Sequence, residues 1–184
     1  LAAYLRAMPK TLNFANRRKR TKPHSTTKRD WKEIRQQQFL KQFSRLLQTK
    51  YECARCHGPV AESMHGCPWC GTSRKVFHGE TGFPAQCPRC RRGIKLDWHY
   101  CPWCYGPGFE PLSDRWFSDR RYTARCRNRK CRRKDLMPFM RYCPWCHTKA
   151  KPWKIEGSSD TCGRCGWGVL TEFWSHCPWC TAKI

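Results

Sequence analysis

"CPWC" occupies residues 67–70, and the same tetrapeptide returns at residues 101–104, 143–146 and 177–180. Each copy forms the second half of a group of four cysteines, and the four groups use all 16 cysteines of the 184-residue chain. The repeating unit holds about thirty residues, fewer than the roughly 40 below which metals, disulfides or partners must supplement a hydrophobic core. The cysteines are therefore expected to decide the fold.

The spacing within the groups is regular, with one exception. In the first two groups, two Cys-x2-Cys pairs are separated by ten residues, and in the fourth group they are separated by eleven. The third group opens with a Cys-x4-Cys pair, "CRNRKC", at residues 126–131. In chain order the cysteines are Cys53, Cys56, Cys67, Cys70, Cys87, Cys90, Cys101, Cys104, Cys126, Cys131, Cys143, Cys146, Cys162, Cys165, Cys177 and Cys180.

This spacing predicts four metal sites. Each cysteine pair can form a tight turn, called a knuckle below, and the residues between two knuckles can form a hairpin that brings four thiolates together. Zinc prefers such a closed tetrahedral shell of sulfur, so we expect four zinc ions, one per group. Iron in a rubredoxin-type site is the alternative metal, because the ligand type alone does not separate the two. A disulfide framework is disfavoured, because cysteines separated by two residues are poorly placed to bridge each other and the first residues do not form a signal peptide.

On these motifs the chain resembles the zinc-ribbon family, and more closely its tandem double zinc-ribbon arrangement, over residues 53–180. The resemblance implies short β-hairpins around structural zinc and makes all 16 cysteines ligands. Only Cys126 and Cys131 depart from the family pattern. The expected fold class is thus small, metal-stabilised and mainly β, with four tandem ribbons in two pairs, preceded by a basic arm and one amphipathic helix.

The distances between successive CPWC motifs predict which ribbons pair. These distances are 34, 42 and 34 residues, which favours pairing of the first ribbon with the second and of the third with the fourth. Between these pairs, "YGPGFEPLSDRWFSDRRYTAR" predicts a turn-rich connector. The expected segments are a basic arm at 1–27, a helix at 28–49, ribbon 1 at 50–75, ribbon 2 at 84–110, ribbon 3 with a basic insert at 111–150, and ribbon 4 at 151–184.

Apolar residues recur at fixed distances before the third cysteine of each group. They stand seven and three residues before it, and they are Val60, Ile94, Leu136, Leu170, Met64, Trp98, Met140 and Trp174. We expect them to form a small core under each second knuckle. The tryptophans of the CPWC motifs, Trp69, Trp103, Trp145 and Trp179, are expected to pack beside the metal. Stacking on unpaired bases is the alternative role for these rings.

The chain carries a formal net charge of +24. Each Zn(Cys)4 site carries a formal −2, so four sites lower the total to about +16. Residues 1–50 hold 14 Lys or Arg against two acidic residues. Within the basic arm at residues 1–27 we expect phosphate contacts from Arg17, Arg18, Lys19, Arg20 and Lys22. A targeting signal or binding to anionic lipid is the alternative.

A second basic block, defined as residues 115–134, holds ten Lys or Arg and a single acidic residue, Asp119. Several of the basic residues lie in or beside the widened knuckle of the third group, where an Arg-rich loop suits contact with nucleic acid. The candidate contacts are nine of the ten basic residues, all but Arg115: Arg120, Arg121, Arg125, Arg127, Arg129, Lys130, Arg132, Arg133 and Lys134.

The segment "KRDWKEIRQQQFLKQFSRLLQ" predicts the amphipathic helix. Its apolar residues recur at mostly three to five positions, and they are Trp31, Ile34, Phe39, Phe43, Leu46 and Leu47. We expect this stripe to dock on ribbon 1, and binding to a partner protein is the alternative.

No catalytic constellation is present in the sequence. The chain lacks phosphate-binding-loop, H-E-x-x-H and G-x-S-x-G motifs, and four cysteines already complete each metal shell. No run approaches the roughly 18 apolar residues of a membrane helix, so a reducing, cytoplasmic compartment is expected. We therefore expect a non-enzymatic zinc protein that binds nucleic acid, either RNA, such as ribosomal RNA, or DNA.

A protein-interaction or regulatory module is the rival hypothesis. Tandem ribbons with such knuckles look like the C-terminal extensions of some bacterial serine/threonine kinases, and "LAAYLRAMP" at residues 1–9 is compatible with the last helix of a preceding domain. The chain has no glycine-rich loop, catalytic-loop Asp or D-F-G motif, so kinase activity is not expected within it.

Overall fold

The computed structural model describes residues 27–184. All but the last residue of the predicted basic arm, including Arg17, Arg18, Lys19, Arg20 and Lys22, therefore lies outside the described residues. Within them, no helix is long and apolar enough to span a membrane.

Helix α1 spans Lys28–Leu47, two residues shorter than predicted. The amide of Trp31 donates to the carbonyl of Thr27 at the start of the helix. The helix ends because Gln48 adopts the left-handed conformation, with φ of 52°. A left-handed residue directly after a helix is a common way to terminate it.

Short antiparallel strands build the ribbons. In ribbon 1, β1 (Tyr51–Cys53) lies between β2 (Pro59–Val60) and β3 (Phe77–His78), in a three-stranded sheet of order β2-β1-β3. Ribbon 2 holds the pair β4 (Ala85–Gln86) and β5 (Gly93–Ile94), and ribbon 3 holds the pair β6 (Ala124–Arg125) and β7 (Asp135–Leu136). In ribbon 4 the corresponding hairpin is reduced to a single bridge between Thr161 and Gly168. The small, metal-stabilised, mainly β fold class is confirmed.

The apolar positions that precede each third cysteine form the expected cores. All eight are buried, and none is more than 4% exposed. Equivalent packing recurs between ribbons, because the thioethers of Met64 and Met140 both accept a hydrogen bond from the amide three residues earlier, at 3.3 Å. These residues are structural, as predicted.

The ribbons pair differently from the prediction. The amides of residues 65–66 in ribbon 1 donate to the carbonyl of Pro178 in ribbon 4 at 2.7 and 3.1 Å. In return, the amides of residues 175–176 donate to the carbonyl of Pro68 at 2.9 and 3.0 Å. Ribbons 1 and 4 therefore form one reciprocal backbone pair.

Ribbons 2 and 3 form the other pair by the same contact. The amides of residues 99–100 donate to the carbonyl of Pro144 at 2.9 and 2.8 Å, and those of residues 141–142 donate to the carbonyl of Pro102 at 2.8 and 3.1 Å. The described core divides in nearly the same way, with ribbon 1, ribbon 4 and α1 around one cluster and ribbons 2 and 3 around the other, except that Phe139 of ribbon 3 joins the first cluster. The predicted pairing of ribbon 1 with 2 and of ribbon 3 with 4 is wrong, because motif spacing records chain length and not which knuckles meet.

Helix α1 docks on ribbon 1 as predicted, but it also contacts ribbon 4. Phe39 is fully buried, and its ring meets Trp69 of ribbon 1 at 5.4 Å and Phe173 of ribbon 4 at 5.9 Å between centroids. At the start of the predicted stripe, Trp31 and Ile34 remain 61% and 38% exposed. The docked stripe is thus restricted to the C-terminal half of the helix.

Candidate metal centres

The 16 cysteines form the four predicted groups. Within each group all four sulfur atoms lie within 4.8 Å of one another. The closest contacts, such as Cys56 to Cys67 at 3.5 Å and Cys53 to Cys70 at 3.8 Å, match the edge of roughly 3.8 Å that a tetrahedron with Zn–S bonds of about 2.3 Å requires. The sulfur atoms are too far apart for disulfides. Each group therefore fits one zinc ion, and the four groups fit four.

The backbone of the knuckles explains how the sulfur atoms converge. In most knuckles the residue after the second cysteine adopts the left-handed conformation, as in His57 and His147, with φ of 56° and 59°. Its amide donates to the carbonyl of the first cysteine, from His57 to Cys53 at 2.8 Å and from His147 to Cys143 at 2.9 Å. This tight turn holds both thiols of a pair on one side of the chain.

The widened knuckle in ribbon 3 reaches the same geometry by another turn. The side-chain oxygen of Asn128 accepts a hydrogen bond from the amide of Lys130 at 3.0 Å, and the carbonyl of Asn128 accepts one from Cys131 at 3.1 Å. The amide of Asn128 lies 3.4 Å from the sulfur of Cys126. An Asn-based turn thus absorbs the two extra residues, and Cys126 and Cys131 still join Cys143 and Cys146 in one site.

The thiols differ in their surroundings. Burial raises the pKa of Cys67 and of Cys143. In Cys70 burial acts in the same direction, but hydrogen bonding to the hydroxyl and amide of Thr72 outweighs it and lowers the pKa to about 7. A thiol with a raised pKa must lose its proton to ligate zinc, so we expect binding to weaken as pH falls.

Histidine does not enter the metal groups, because all four groups in the described chain contain cysteine alone. The histidines beside the ribbons have other contacts. His57 lies 2.6 Å from a carboxylate oxygen of Glu52, and the ring of His147 stacks between those of Tyr100 and Tyr105. The other histidines beside the ribbons, which are also absent from the metal groups, are His65, His78, His99 and His176.

Three of the four CPWC tryptophans tie the two halves of their ribbon together. The indole N–H groups of Trp69, Trp103 and Trp179 donate to the carbonyls of Pro59, Gly93 and Gly168 at 2.8, 2.8 and 2.7 Å. Each acceptor lies in the segment that follows the first knuckle. These three rings therefore pack within the protein, as the favoured interpretation expected.

The fourth tryptophan differs from the others. The indole nitrogen of Trp145 is buried and has no hydrogen-bond partner among residues 27–184. Trp179 therefore has this hydrogen bond, and Trp145, at the same position of its CPWC motif, lacks it.

We expect Trp179→Phe to lower the free energy of unfolding by about 1–3 kcal/mol more than Trp145→Phe. Both changes remove the same atoms, but only the first leaves a buried carbonyl, that of Gly168, without its donor. Denaturant unfolding of the zinc-loaded variants, followed by circular dichroism, would measure the difference. Equal losses in the two variants would contradict the role given to the hydrogen bond.

The basic block at residues 115–134 is mostly exposed. No ion pair in the described chain involves the seven exposed basic side chains, which are Arg115, Arg120, Arg125, Arg127, Arg129, Lys130 and Arg132. Lys134 is half-buried and also has no ion pair among these residues. The block thus presents an unneutralised basic surface.

Arg121 and Arg133, also predicted as nucleic-acid contacts, are engaged within the protein. Arg121 lies 2.7 Å from a carboxylate oxygen of Asp119, and Lys95 approaches the same oxygen at 3.0 Å. Burial opposes ionisation of Asp119, but hydrogen bonds from Arg121 outweigh it and hold the pKa of that carboxyl well below its ordinary value. Arg133 lies 4.0 Å from the buried Asp97.

Other arginines that the sequence did not single out lie between ribbons 1 and 2. Arg92 is only 3% exposed and donates to the carbonyl of Met64 at 3.2 Å. Arg74 packs over the rings of Tyr51 and Phe77 at 5.6 and 5.8 Å from their centroids. The sequence carries no signal for this cluster, because its members come from separate ribbons.

Comparison of the chain with protein-family models, with curated proteins and with solved structures gave no match. The sulfur geometry therefore supports zinc-ribbon-like modules on its own.

Proposed function

We propose that the protein is a non-enzymatic zinc-binding protein that binds nucleic acid, RNA or DNA, through phosphate contacts from its basic segments. The observation that carries the proposal is the basic block, where seven exposed cationic side chains have no ion pair in the described chain. Like charges held together on a rigid support repel one another, and a polyanion relieves that repulsion. A phosphate backbone supplies such a charge pattern.

The metal groups support the non-enzymatic part of the proposal. Four thiolates complete a tetrahedral zinc shell and leave no open position for a substrate or an activated water. In this proposal the zinc ions hold the ribbons folded, and the ribbons hold the basic loops in place. Sixteen cysteines without a disulfide also suit a reducing, cytoplasmic compartment, which belongs to the proposal. As part of the same proposal, we assign the chain to the double zinc-ribbon family.

A salt titration tests the proposal. Zinc-loaded protein is mixed with generic RNA or duplex DNA, and the dissociation constant is measured from about 50 to 200 mM salt. If six to ten phosphates are contacted, affinity should fall by about 10³–10⁵-fold over this range. Undetectable binding to both polymers at low salt would overturn the proposal.

Charge-matched variants locate the contact. Neutralising Arg127, Arg129 and Lys130 to Gln should reduce the salt slope by about two units. The control neutralises three exposed residues of ribbon 4 and its linker, Lys151, Lys154 and Arg164, and should change the slope less. Neutralising the basic residues at 17–20 should also flatten the slope. Equal slopes for the wild type and the block variant would remove the basic block from the contact surface.

A protein-interaction module is the second candidate function, and one feature of α1 favours it. Trp31 is 61% exposed and lies with Ile34, Trp69 and Phe173 along one shallow groove between the helix and the ribbons. An exposed tryptophan beside a groove with both apolar and basic lining residues suits the binding of a partner protein. A regulatory extension of a larger protein, such as a bacterial serine/threonine kinase, is one setting for this function.

A further inference from the structure

A basic cleft separates ribbon 1 from ribbon 2. It has a volume of about 860 Å³ and is bordered by β1 and β3 on one side and by the first knuckle of ribbon 2 on the other. This volume lies in the range of sites that take small organic ligands. Five basic residues line it, and they are Arg74, Lys75, Arg89, Arg91 and Arg92.

The positive charge of the cleft exceeds the negative charge next to it. The lining contains one carboxylate, that of Glu80, and Cys90 places the zinc site of ribbon 2 at its border. With the formal −2 of a Zn(Cys)4 site included, the lining keeps a net charge of about +2. Neutralisation of the zinc site therefore does not account for all five cations.

Two of the arginines have N–H groups without acceptors. Nη1 of Arg74 and Nε of Arg92 are buried and lack a hydrogen-bond partner in the described chain. Burial lowers the pKa of Arg74, which means that its charge is poorly solvated. These N–H groups are closed to solvent, but the charges of both guanidinium groups act on the adjoining cleft and favour an anion there. The remaining three, Lys75, Arg89 and Arg91, are exposed at the surface.

Arg89, which lines the cleft, also contacts a residue of an aromatic stack outside it. The guanidinium of Arg89 donates to the carbonyl of Tyr105. The ring of Tyr105 lies on that of His147 at 4.4 Å between centroids and an interplanar angle of 14°, and Tyr100 stacks on His147 at 4.5 Å and 7°. Tyr105 is nevertheless 64% exposed. A supported ring with this exposure is suited to stacking on a nucleobase.

We propose that the cleft between ribbons 1 and 2 binds the phosphates of an unpaired nucleic-acid strand, with a base stacked on Tyr105. This inference rests on the proposed function and deepens it by naming the form of nucleic acid. A single strand can enter the cleft and turn a base towards an exposed ring. In a duplex the bases are already paired and stacked, so Tyr105 has no free base to contact.

The test compares two triple variants of the zinc-loaded full chain. In the first, Lys75, Arg89 and Arg91 are changed to Gln, and in the control the same change is made at Lys151, Lys154 and Arg164. All six side chains are exposed and each variant loses three charges. Arg89 and Arg164 also occupy the same position in the first knuckle of their ribbons, directly before the second cysteine. The probes are a labelled single strand of about 12 nucleotides and the matching duplex, read by fluorescence anisotropy.

The cleft variant should bind the single strand about tenfold or more weakly, with a salt slope lower by about two units, while the control changes by less than about threefold. Tyr105→Ala should weaken single-strand binding by about 5- to 100-fold and leave duplex binding unchanged. Retention of four zinc ions by every variant confirms that the ribbons are intact.

Three results would overturn the inference. Equal losses in the cleft and control variants would show diffuse charge binding, and the proposed function would stand without the cleft. Equal losses of single-strand and duplex binding in Tyr105→Ala would remove the preference for an unpaired strand. Absence of binding by the wild type to either probe at low salt would remove both the inference and the proposed function.

Discussion

Cys126→Ser is expected to yield a protein with three zinc ions rather than four, unfolded in ribbon 3, destabilised but still zinc-bound in ribbon 2, and folded elsewhere. Apparent binding free energies of structural zinc are about 10–16 kcal/mol, more than a module of about thirty residues can replace by packing. Amide exchange in ribbon 2 should also become faster, because Cys126 shares a core with Trp98 and Trp103 of that ribbon. Elemental analysis would give the metal content, and hydrogen exchange with mass spectrometry would locate the unfolded segments.

Cys162→Ser is the matched control, since Cys162 is the first cysteine of ribbon 4. Its loss should expose ribbon 1 and helix α1 to exchange, because Cys162 lies in the same buried cluster as Phe39 and Val60. The two variants should therefore give complementary exchange patterns. A Cys126→Ser protein that keeps four zinc ions would show that Cys126 is not a ligand. Spread of its unfolding to ribbon 4 instead of ribbon 2 would contradict the observed pairing.

Phe39→Ala is expected to lower the free energy of unfolding by about 3–5 kcal/mol. Phe39 is fully buried, and its ring meets those of Trp69, Phe173 and Trp174 at 5.4–5.9 Å. The substitution removes the ring that joins α1 to both ribbons of one pair. We expect the helix to detach before the zinc sites are lost, so ellipticity at 222 nm should fall while the zinc content stays at four.

Leu40→Ala provides the control on the same helix. Leu40 is 36% exposed, so its truncation should change the free energy of unfolding by less than about 1 kcal/mol. Helix propensity differs little between the variants, because both introduce alanine. Similar losses in both variants would mean that the helix is stabilised by its own propensity and not by docking.

Local patterns were sufficient to predict the metal groups and the small cores. Two cysteine pairs separated by ten or eleven residues constrain each other through a short hairpin, so sequence distance is a good guide to spatial distance there. The same is true of Val60 and Met64, which are fixed relative to the knuckle that follows them. The helix was predicted for a similar reason, although its exposed start was not, because periodicity does not reveal where a partner surface ends.

The sequence by itself determined four sulfur sites, since each site is built from about thirty neighbouring residues. Only the tertiary structure decided that ribbon 1 pairs with ribbon 4 and ribbon 2 with ribbon 3. Every CPWC motif has the same proline carbonyl, and in each pair that carbonyl accepts hydrogen bonds from backbone amides of the other ribbon. Every residue except proline has such an amide, so the side chains do not show which ribbons pair. The arginines of the cleft could not be predicted from the sequence either, because Arg74 and Arg92 come together only when ribbons 1 and 2 lie side by side.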